Sequence, residues 1–384
     1  MSQPGPLSGV TVVDLTRVLA GPFCTLVLAD LGARVIKIET PGSGDDTRGF
    51  GPFVGTTSAY FASVNRGKES LTLNLKDAAE RRLFERLLET ADVLIENFRA
   101  GVMERLGYGW CTLQARYPKL IYAAVSGFGH SGPYAERPAY DLVVQAMGGL
   151  MSLTGHPGEP PTRVGTSIGD ITAGLFVGIG INAALYHRAQ TGAGTKIDVA
   201  LLDCQIAILE NAISRYFATG EVPGPLGSRH PSIAPFEAYA TADGHIVIAA
   251  GNDALYRTLC VALGRVDLAD DPRFRDNRSR SQNVLALKHE LEMLLAERPG
   301  AHWISLLERA GVPCGPINDV AQAVAHPQVR ARNMVIEVDD PAAGPLRMAG
   351  SPIKLSGFPD SPCRPSAPTL DQHRAAILRD LGLA

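Results

Sequence analysis

Residues 9–15, GVTVVDL, and 34–39, RVIKIE, are short runs of β-branched apolar residues, and AGPFCTLVLADLGA (20–33) between them has helical spacing. Strand, helix and strand in that order need a crossover, and a crossover makes the two strands parallel. Pro22 falls in the first helical turn, where its missing N–H costs nothing, and Gly32 falls where the helix must end. The opening therefore commits the chain to a parallel-sheet α/β domain.

The rhythm continues. SLTLNL (70–75) alternates like a strand, AAERRLFERLLETA (78–91) is an amphipathic helix, and DVLIENF (92–98) and KLIYAAVSGFG (119–129) read as buried strands. Helical patterns at 140–153 and 171–189 precede KIDVALLD (196–203) and a helix to about residue 218. TGEVPGPLGSRHPSIAP (219–235) then shifts to Pro and Gly, as a linker or active-site loop leading into a second, smaller region. FEAYATADGHIVIAAGN reads as a hairpin turning at Asp243–Gly244, with helices near 253–263, 281–296 and 301–310. GVPCGPIND (311–319) is a second Pro/Gly crossing, and the chain closes on a strand-like NMVIEV and a polar helix from Asp371.

With 384 residues the chain can hold two domains or one large core. Its net charge of −3 gives no general attraction to nucleic acid or an anionic membrane, so a bound anion needs local Arg and Lys. The six cysteines (24, 111, 204, 260, 314, 363) form no C-x-x-C pair and the histidines no H-x-x-x-H pair, which fits reduced, packed thiols and no metal site. The start lacks the pattern of a secretion signal. ITAGLFVGIGINAALY (171–186) reads as a buried helix, shorter than a membrane span, and a cytoplasmic location is expected.

Candidate chemistry lies in a few places. Glu39 at the end of the second strand invites a dinucleotide-binding reading, but LTRVLAGP offers only Gly21 where several glycines are needed. Arg17 in that turn reads as an anion contact or as a solvated charge. Lys76, Arg99, Arg105 and Arg137 lie at or near strand ends, where open α/β sheets bind ligands, although each alone also reads as a surface charge. SGFGHSGPY (126–134), with His130, is either a loop of ligand-facing amides or a plain turn. Asp141 opens a helix and complements its dipole.

Asp170, in VGTSIGDITAG, has two readings on local sequence. One is a helix cap. The other is a partly desolvated carboxylate, reached between Gly169 and Gly174, with a perturbed pKa and the capacity to act as a nucleophile in acyl transfer. No G-x-S-x-G elbow and no Cys–His pair competes with it.

Taken together, LSGVTVVDLTRVLAGP (7–22), GDDTRGFGP (44–52), NRGKESLTLNLK (65–76), ENFRAGVMERLG (96–107), YDLVVQAMGGL (140–150), GDITAG, GTKIDVALLD and GVPCGPIND resemble the family III coenzyme A transferases almost end to end. GSRHPSIAPFEAY and AAGND are most similar to the dicarboxylate transferases within it, of the succinate–hydroxymethylglutarate and itaconate type.

The resemblance implies a Rossmann-like large domain built from both chain ends, a smaller α+β domain, and an interlocked, threaded-ring homodimer. Its boundaries fall at 1–218 for the first part of the large domain, 219–235 for the linker or loop, 236–310 for the small domain and 311–384 for the return. It puts the nucleophile on Asp170 and CoA contacts on Val18, Leu19, Leu73, Lys76, Asn97, Phe98, Arg105, Arg137, Ala139 and Tyr140. A loop near Gly227–Ile233 would cover the intermediate, and Arg17, Arg48 or the SRH at 228–230 would meet a second carboxylate. The implied partners are acyl-CoA and a carboxylic acid, most simply succinyl-CoA and a dicarboxylate. No permanently bound cofactor and no metal are implied. APTLDQH (367–373) departs from the family in having Asp371 where glycine is usual. The α-methylacyl-CoA racemases share the fold and are the alternative, but they use a histidine just before the aspartate matching Asp141, where this chain has Tyr140.

Overall fold

The structure, a computed structural model, describes residues 4–383. It divides into two compact units, one running to Met151 and resuming over Arg163–Pro223 and from His326 on, the other formed by Ser152–Thr162 and Gly224–Ala325. These bounds differ from the expected ones: the second unit gains 152–162 and extends past 310. Part of the reason is local, since the Gly227 N–H donates to the Gly155 carbonyl at 2.9 Å.

In the first unit β1 (Thr11–Asp14), α1 (Ala20–Asp30) and β2 (Arg34–Glu39) form the expected parallel crossover. A short hairpin, β3 (Phe53–Val54) and β4 (Thr57–Ser58), leads to α2 (Ala59–Asn65), β5 (Glu69–Thr72), α3 (Ala78–Thr90) and β6 (Val93–Glu96). Then come α4 (Val102–Leu106), α5 (Trp110–Arg116), β7 (Ile121–Ser126), α6 (Asp141–Met147) and α7 (Leu150–Leu153). The long α8 (Ile168–Thr191) precedes β8 (Lys196–Ala200), α9 (Leu201–Ile208) and α10 (Glu210–Thr219). The six long strands form one parallel sheet in the order β5-β2-β1-β6-β7-β8. Strand order reverses between β1 and β6, so a crevice opens beyond their C-terminal ends, which is where such sheets take ligands.

Alternation along the strands feeds two cores. Val12, Val35, Val93 and Ile121 face α1, α8 and α9, while Val13, Ile36, Leu71 and Leu94 face α3 and α5. The helix expected to be buried, α8, is only half so. Ala173, Val177 and Ile181 join the core, whereas Leu175, Ile179 and Tyr186 are 46, 65 and 71% exposed. At 24 residues it is long and apolar enough to cross a membrane by length and composition. A run that is apolar all round does not reveal which side the sheet covers. The helical pattern at 140–153 breaks in two because Gly149 turns through φ +84° and the preceding Gly148 lies against Gln205.

Strand β5 ends at Thr72 rather than at residue 75, and the chain's tail covers its outer edge. The Ser70 and Thr72 N–H groups donate to His373 Nδ1 (3.1 Å) and Asp371 Oδ1 (2.7 Å), and the His373 N–H donates to the Ser70 carbonyl (3.1 Å). Asp371 adopts the left-handed φ of +61° that glycine would take, and its carboxylate bonds to Thr72 and Arg374 support it there. The helix expected from Asp371 begins at Arg374 and runs to Asp380.

In the second unit β9 (Phe236–Thr241) and β10 (Gly244–Ala249) form the expected hairpin. Within the GVPCGPIND crossing, β11 (Cys314–Pro316) adds antiparallel to β10. The helices α11 (Asp253–Ala262), α12 (Val266–Asp270), α13 (Asn277–Gln282), α14 (Val284–Leu295) and α15 (Gly300–Arg309) pack an α+β core around Tyr239, Ile248, Leu259, Leu291 and Trp303, and α16 (Val320–Ala325) ends the unit. Returning to the first unit, β12 (Val335–Asp340) pairs antiparallel with β13 (Gly344–Ala349).

Candidate active site

Where a dinucleotide-binding protein has glycines after β1, this chain has a buried ionic lattice. Asp14 Oδ1 accepts the Thr16 N–H (2.8 Å) and hydroxyl (2.5 Å), and its other oxygen accepts the Thr25 hydroxyl (2.6 Å). Lys68 sits 3.4 Å from Asp14 and donates to Asn65 (2.9 Å), with burial pressing its ammonium down to about 8. Lys37 donates to the Thr16 carbonyl (2.8 Å) and pairs with Asp45 (2.8 Å). Burial alone would raise the Asp45 carboxyl, but Lys37 and Thr47 hold it down at about 2. This lattice fixes the turn between β1 and α1, in which Val18 takes a φ of +67°.

Asp170 lies in the first turn of α8, whose N-cap position is Ser167, so it does not cap the helix. Among the described residues its carboxylate has no hydrogen-bond partner. Burial, reinforced by the negative charge of Asp141, pushes it up to about 7. Asp141 is itself buried, with Oδ1 accepting the Gly169 N–H (2.8 Å) and Oδ2 accepting from Gln145 (2.7 Å). The glycines beside Asp170 do not open a path to it. A Cβ on Gly169 would fall 2.8 Å from Val144, and one on Gly174 would fall 2.6 Å from the Ala20 carbonyl oxygen. They let α8 close on α6 and α1.

Two cavities occupy the crevice. The larger, about 890 Å³, is lined by Arg17, Lys37, Glu39, Leu73, Lys76, Phe98 and Arg99 among others. The smaller, about 230 Å³, is lined by Val18, Leu19, Asn97, Arg137, Ala139, Tyr140 and Asp170. Arg17, Phe98 and Arg99 belong to both and form their common wall. Arg17 lies over the Phe98 ring at 5.3 Å and Arg137 over Tyr134 at 4.2 Å. Among the described residues Arg17, Lys76, Arg99 and Arg137 have no ion pair, which leaves four cations facing open space.

The structure thus gathers nine of the ten expected contact positions around these cavities. Arg105 is exposed on α4 and lines neither, although Val102 and Leu106 of the same helix line the larger. Arg48 is bound to Glu39 (2.7 Å through each of two nitrogens) and lies 3.8 Å over Phe61, so it is not free to take a second carboxylate. Arg229 and His230 belong to the second unit, where His230 Nδ1 accepts the Ser232 N–H at 3.1 Å. His130 lines neither cavity. Its N–H donates to Asp198 (3.0 Å), and Nδ1 lies 3.1 Å from the Lys196 ammonium.

Sequence reasoning missed Tyr60 on α2. Burial and the charges of Asp170, Asp45 and Asp141 push its hydroxyl pKa up, which places it within electrostatic reach of Asp170. Its helix has only seven residues and little periodicity to betray it. Asp45 had a clearer signal: Lys37 inside an otherwise apolar strand calls for a buried partner.

Comparison with known proteins shows the family. The model of the family described as CoA-transferase family III matches residues 7–374. The acetyl-CoA:oxalate CoA-transferase of Acetobacter aceti is 51% identical over 98% of this chain and 96% of its own. The succinyl-CoA:glutarate CoA-transferase of Mus musculus is 40% identical over 98% of this chain and 86% of its own. A crystal structure of a CAIB/BAIF family protein from Brucella suis superposes with a TM-score of 0.85 at 42% identity, covering 99% of this chain and 100% of that one.

Proposed function

The chain belongs to CoA-transferase family III, and from that premise we propose that it moves CoA from succinyl-CoA to a small dicarboxylate through covalent intermediates on Asp170. The observation that carries this reading is the Asp170 carboxylate itself, unpartnered, raised to about 7, and set in the small cavity beside a larger cation-lined one.

The larger cavity suits the nucleotide end of CoA, with Lys76 and Arg99 against its phosphates. The thiol-bearing arm then passes Phe98 into the smaller cavity. The Asp170 oxygen attacks the thioester carbonyl, the C–S bond breaks, and a mixed anhydride and CoA thiolate result. The thiolate attacks the aspartyl carbonyl, which releases the donor acid and leaves an aspartyl–CoA thioester. An acceptor carboxylate attacks that carbonyl and expels the thiolate, which takes the new acyl group and returns Asp170. Each bond made replaces one of similar energy, so no separate energy source is needed. The uncapped first turn of α1, which lines the same cavity, offers amides to the oxyanions, an interaction often worth about 3 kcal/mol. Arg137 and Arg17 are the cations for the second carboxylate of a diacid.

A homodimer is part of the same proposal. Leu175, Ile179 and Tyr186 of α8 and Phe217 of α10 leave apolar surface that a second, interlocked copy would cover.

The decisive experiment is peptide mass spectrometry after mixing the protein with succinyl-CoA or acetyl-CoA and quenching with hydroxylamine or borohydride. A modification confined to the Asp170 peptide is expected, and Asp170→Ala is expected to lose both it and transfer. Transfer by Asp170→Ala would overturn the assignment.

A further inference from the structure

We propose that Asn97 is a positioning residue. It locks the Arg17–Val18 turn in its left-handed conformation and so sets where the start of α1 stands in the cavity lined by Asp170. The inference rests on the nucleophile reading of Asp170, and its support is the backbone around Val18.

One residue engages both ends of the Asn97 carboxamide. Oδ1 accepts the Arg17 N–H at 2.8 Å, and Nδ2 donates to the Arg17 carbonyl at 2.7 Å. Two residues earlier, the Leu15 N–H donates to the Ile95 carbonyl at 2.9 Å, continuing the β1–β6 pairing past the end of β1. Asn97 adds one more rung to that pairing with a side chain, across the point where strand order reverses.

The next residue, Val18, has a φ of +67°. A β-branched side chain is rarely found there, because its Cβ crowds the following carbonyl. Such a conformation persists only where the surroundings over-determine it, and these sites cluster where function needs them. Here the Arg17–Val18 peptide is held at both its carbonyl and its N–H. Asn97 grips Arg17, and Asp45 Oδ1 accepts the Val18 N–H at 3.3 Å while also accepting the Thr47 N–H at 2.9 Å. Lys37 anchors Asp45 from below at 2.8 Å.

The turn leads directly into the wall of the site. Leu19 is the N-cap of α1 and makes no side-chain cap, and Val18, Leu19 and Ala20 line the cavity with Asp170. If Val18 relaxed to ordinary backbone, the first turn of α1 would change direction relative to Asp170. Asn97 therefore acts through the turn, and both ends of its amide are occupied before any ligand arrives.

The test compares Asn97→Ala, Val18→Gly and the double variant in the full chain, with whichever of succinyl-CoA/glutarate or acetyl-CoA/oxalate turns over. Asn97→Ala should lower kcat roughly 10- to 100-fold, with a much smaller change in KM for the acyl-CoA. Val18→Gly in the same chain should restore most of that loss, because glycine takes positive φ without strain. A raised KM at unchanged kcat would make Asn97 a ligand contact and overturn the proposal, as would a double variant no faster than Asn97→Ala. If Asn97→Ala does not fold, Asn97→Ser, which keeps one bond to Arg17, is read the same way. The Asp170 adduct of the unmodified protein is followed in parallel. Turnover without that adduct overturns the nucleophile reading, while the rescue pattern still decides the role of Asn97.

Discussion

In the proposed mechanism Asp170 must be ionised to attack, yet its surroundings favour the proton. At a pKa of about 7 both forms coexist near neutrality, so kcat/KM should rise with pH through about 7 and level off above it. Asp141→Asn removes the neighbouring negative charge, and the acid limb of the pH–rate profile should move to lower pH. The same substitution sets an amide against the Gln145 side chain that now donates to Asp141, at a stability cost of about 1 kcal/mol. Linkage gives a second prediction. The folded-state pKa lies above the ordinary 3.8, so ionising Asp170 destabilises the fold as pH rises from about 4 to 7, with the full cost present above 7. Asp170→Asn should therefore raise the thermal midpoint at pH 8, with the gap closing toward pH 4. A flat difference across that range would show that the carboxylate is well solvated. The motif singles out Asp170 as a candidate, but the work of its flanking glycines is not legible there. Sequence shows an absent side chain and cannot show that Val144 and the Ala20 carbonyl occupy the space.

Among the helix pairs described, α8 and α1 make the most extensive contact. Gly174 is where they meet, and Gly174→Ala would drive a methyl to 2.6 Å from the Ala20 oxygen. Because that contact is backbone, one helix must shift, and a loss of about 1–3 kcal/mol is expected in chemical denaturation. An unchanged midpoint would mean that the helices slide apart freely. Element legibility followed how much of the pattern each element kept for itself. β2 runs over Arg34–Glu39 as expected, since RVIKIE has uniform character and is bounded by a helix end and a turn. β11 was hidden because its few residues sit among prolines and glycines that read as a crossing, and only pairing with β10 makes it a strand. Helix α8 was recognised, but not its exposed side, because composition alone does not orient a helix that is apolar all round.

For the whole molecule, a sheet order of β5-β2-β1-β6-β7-β8 explains why distant motifs form one site. Arg17 follows β1, Lys76 follows β5 and Asn97 follows β6, so parallel strands deliver all three to the same edge. Asp170 arrives instead on the helix before β8. The class of fold could be read from the opening crossover, whereas the pairing order depends on which strand ends pack together. The apolar side of α8 and the 80% exposed Phe217 lead to an expected dimer in light scattering at micromolar concentration. Ile179→Asp should weaken or abolish it, and a monomeric unmodified protein would remove the proposed interlocking. The tail that covers β5 has a consequence in time. Thr72 and Asp371 are 299 residues apart, so at usual rates of synthesis the edge of β5 waits roughly 15–60 s for its cover. During that interval the nascent chain carries an open strand edge able to pair with a neighbour. Closing that edge therefore waits on Asp371 and His373, the residues that pair with it.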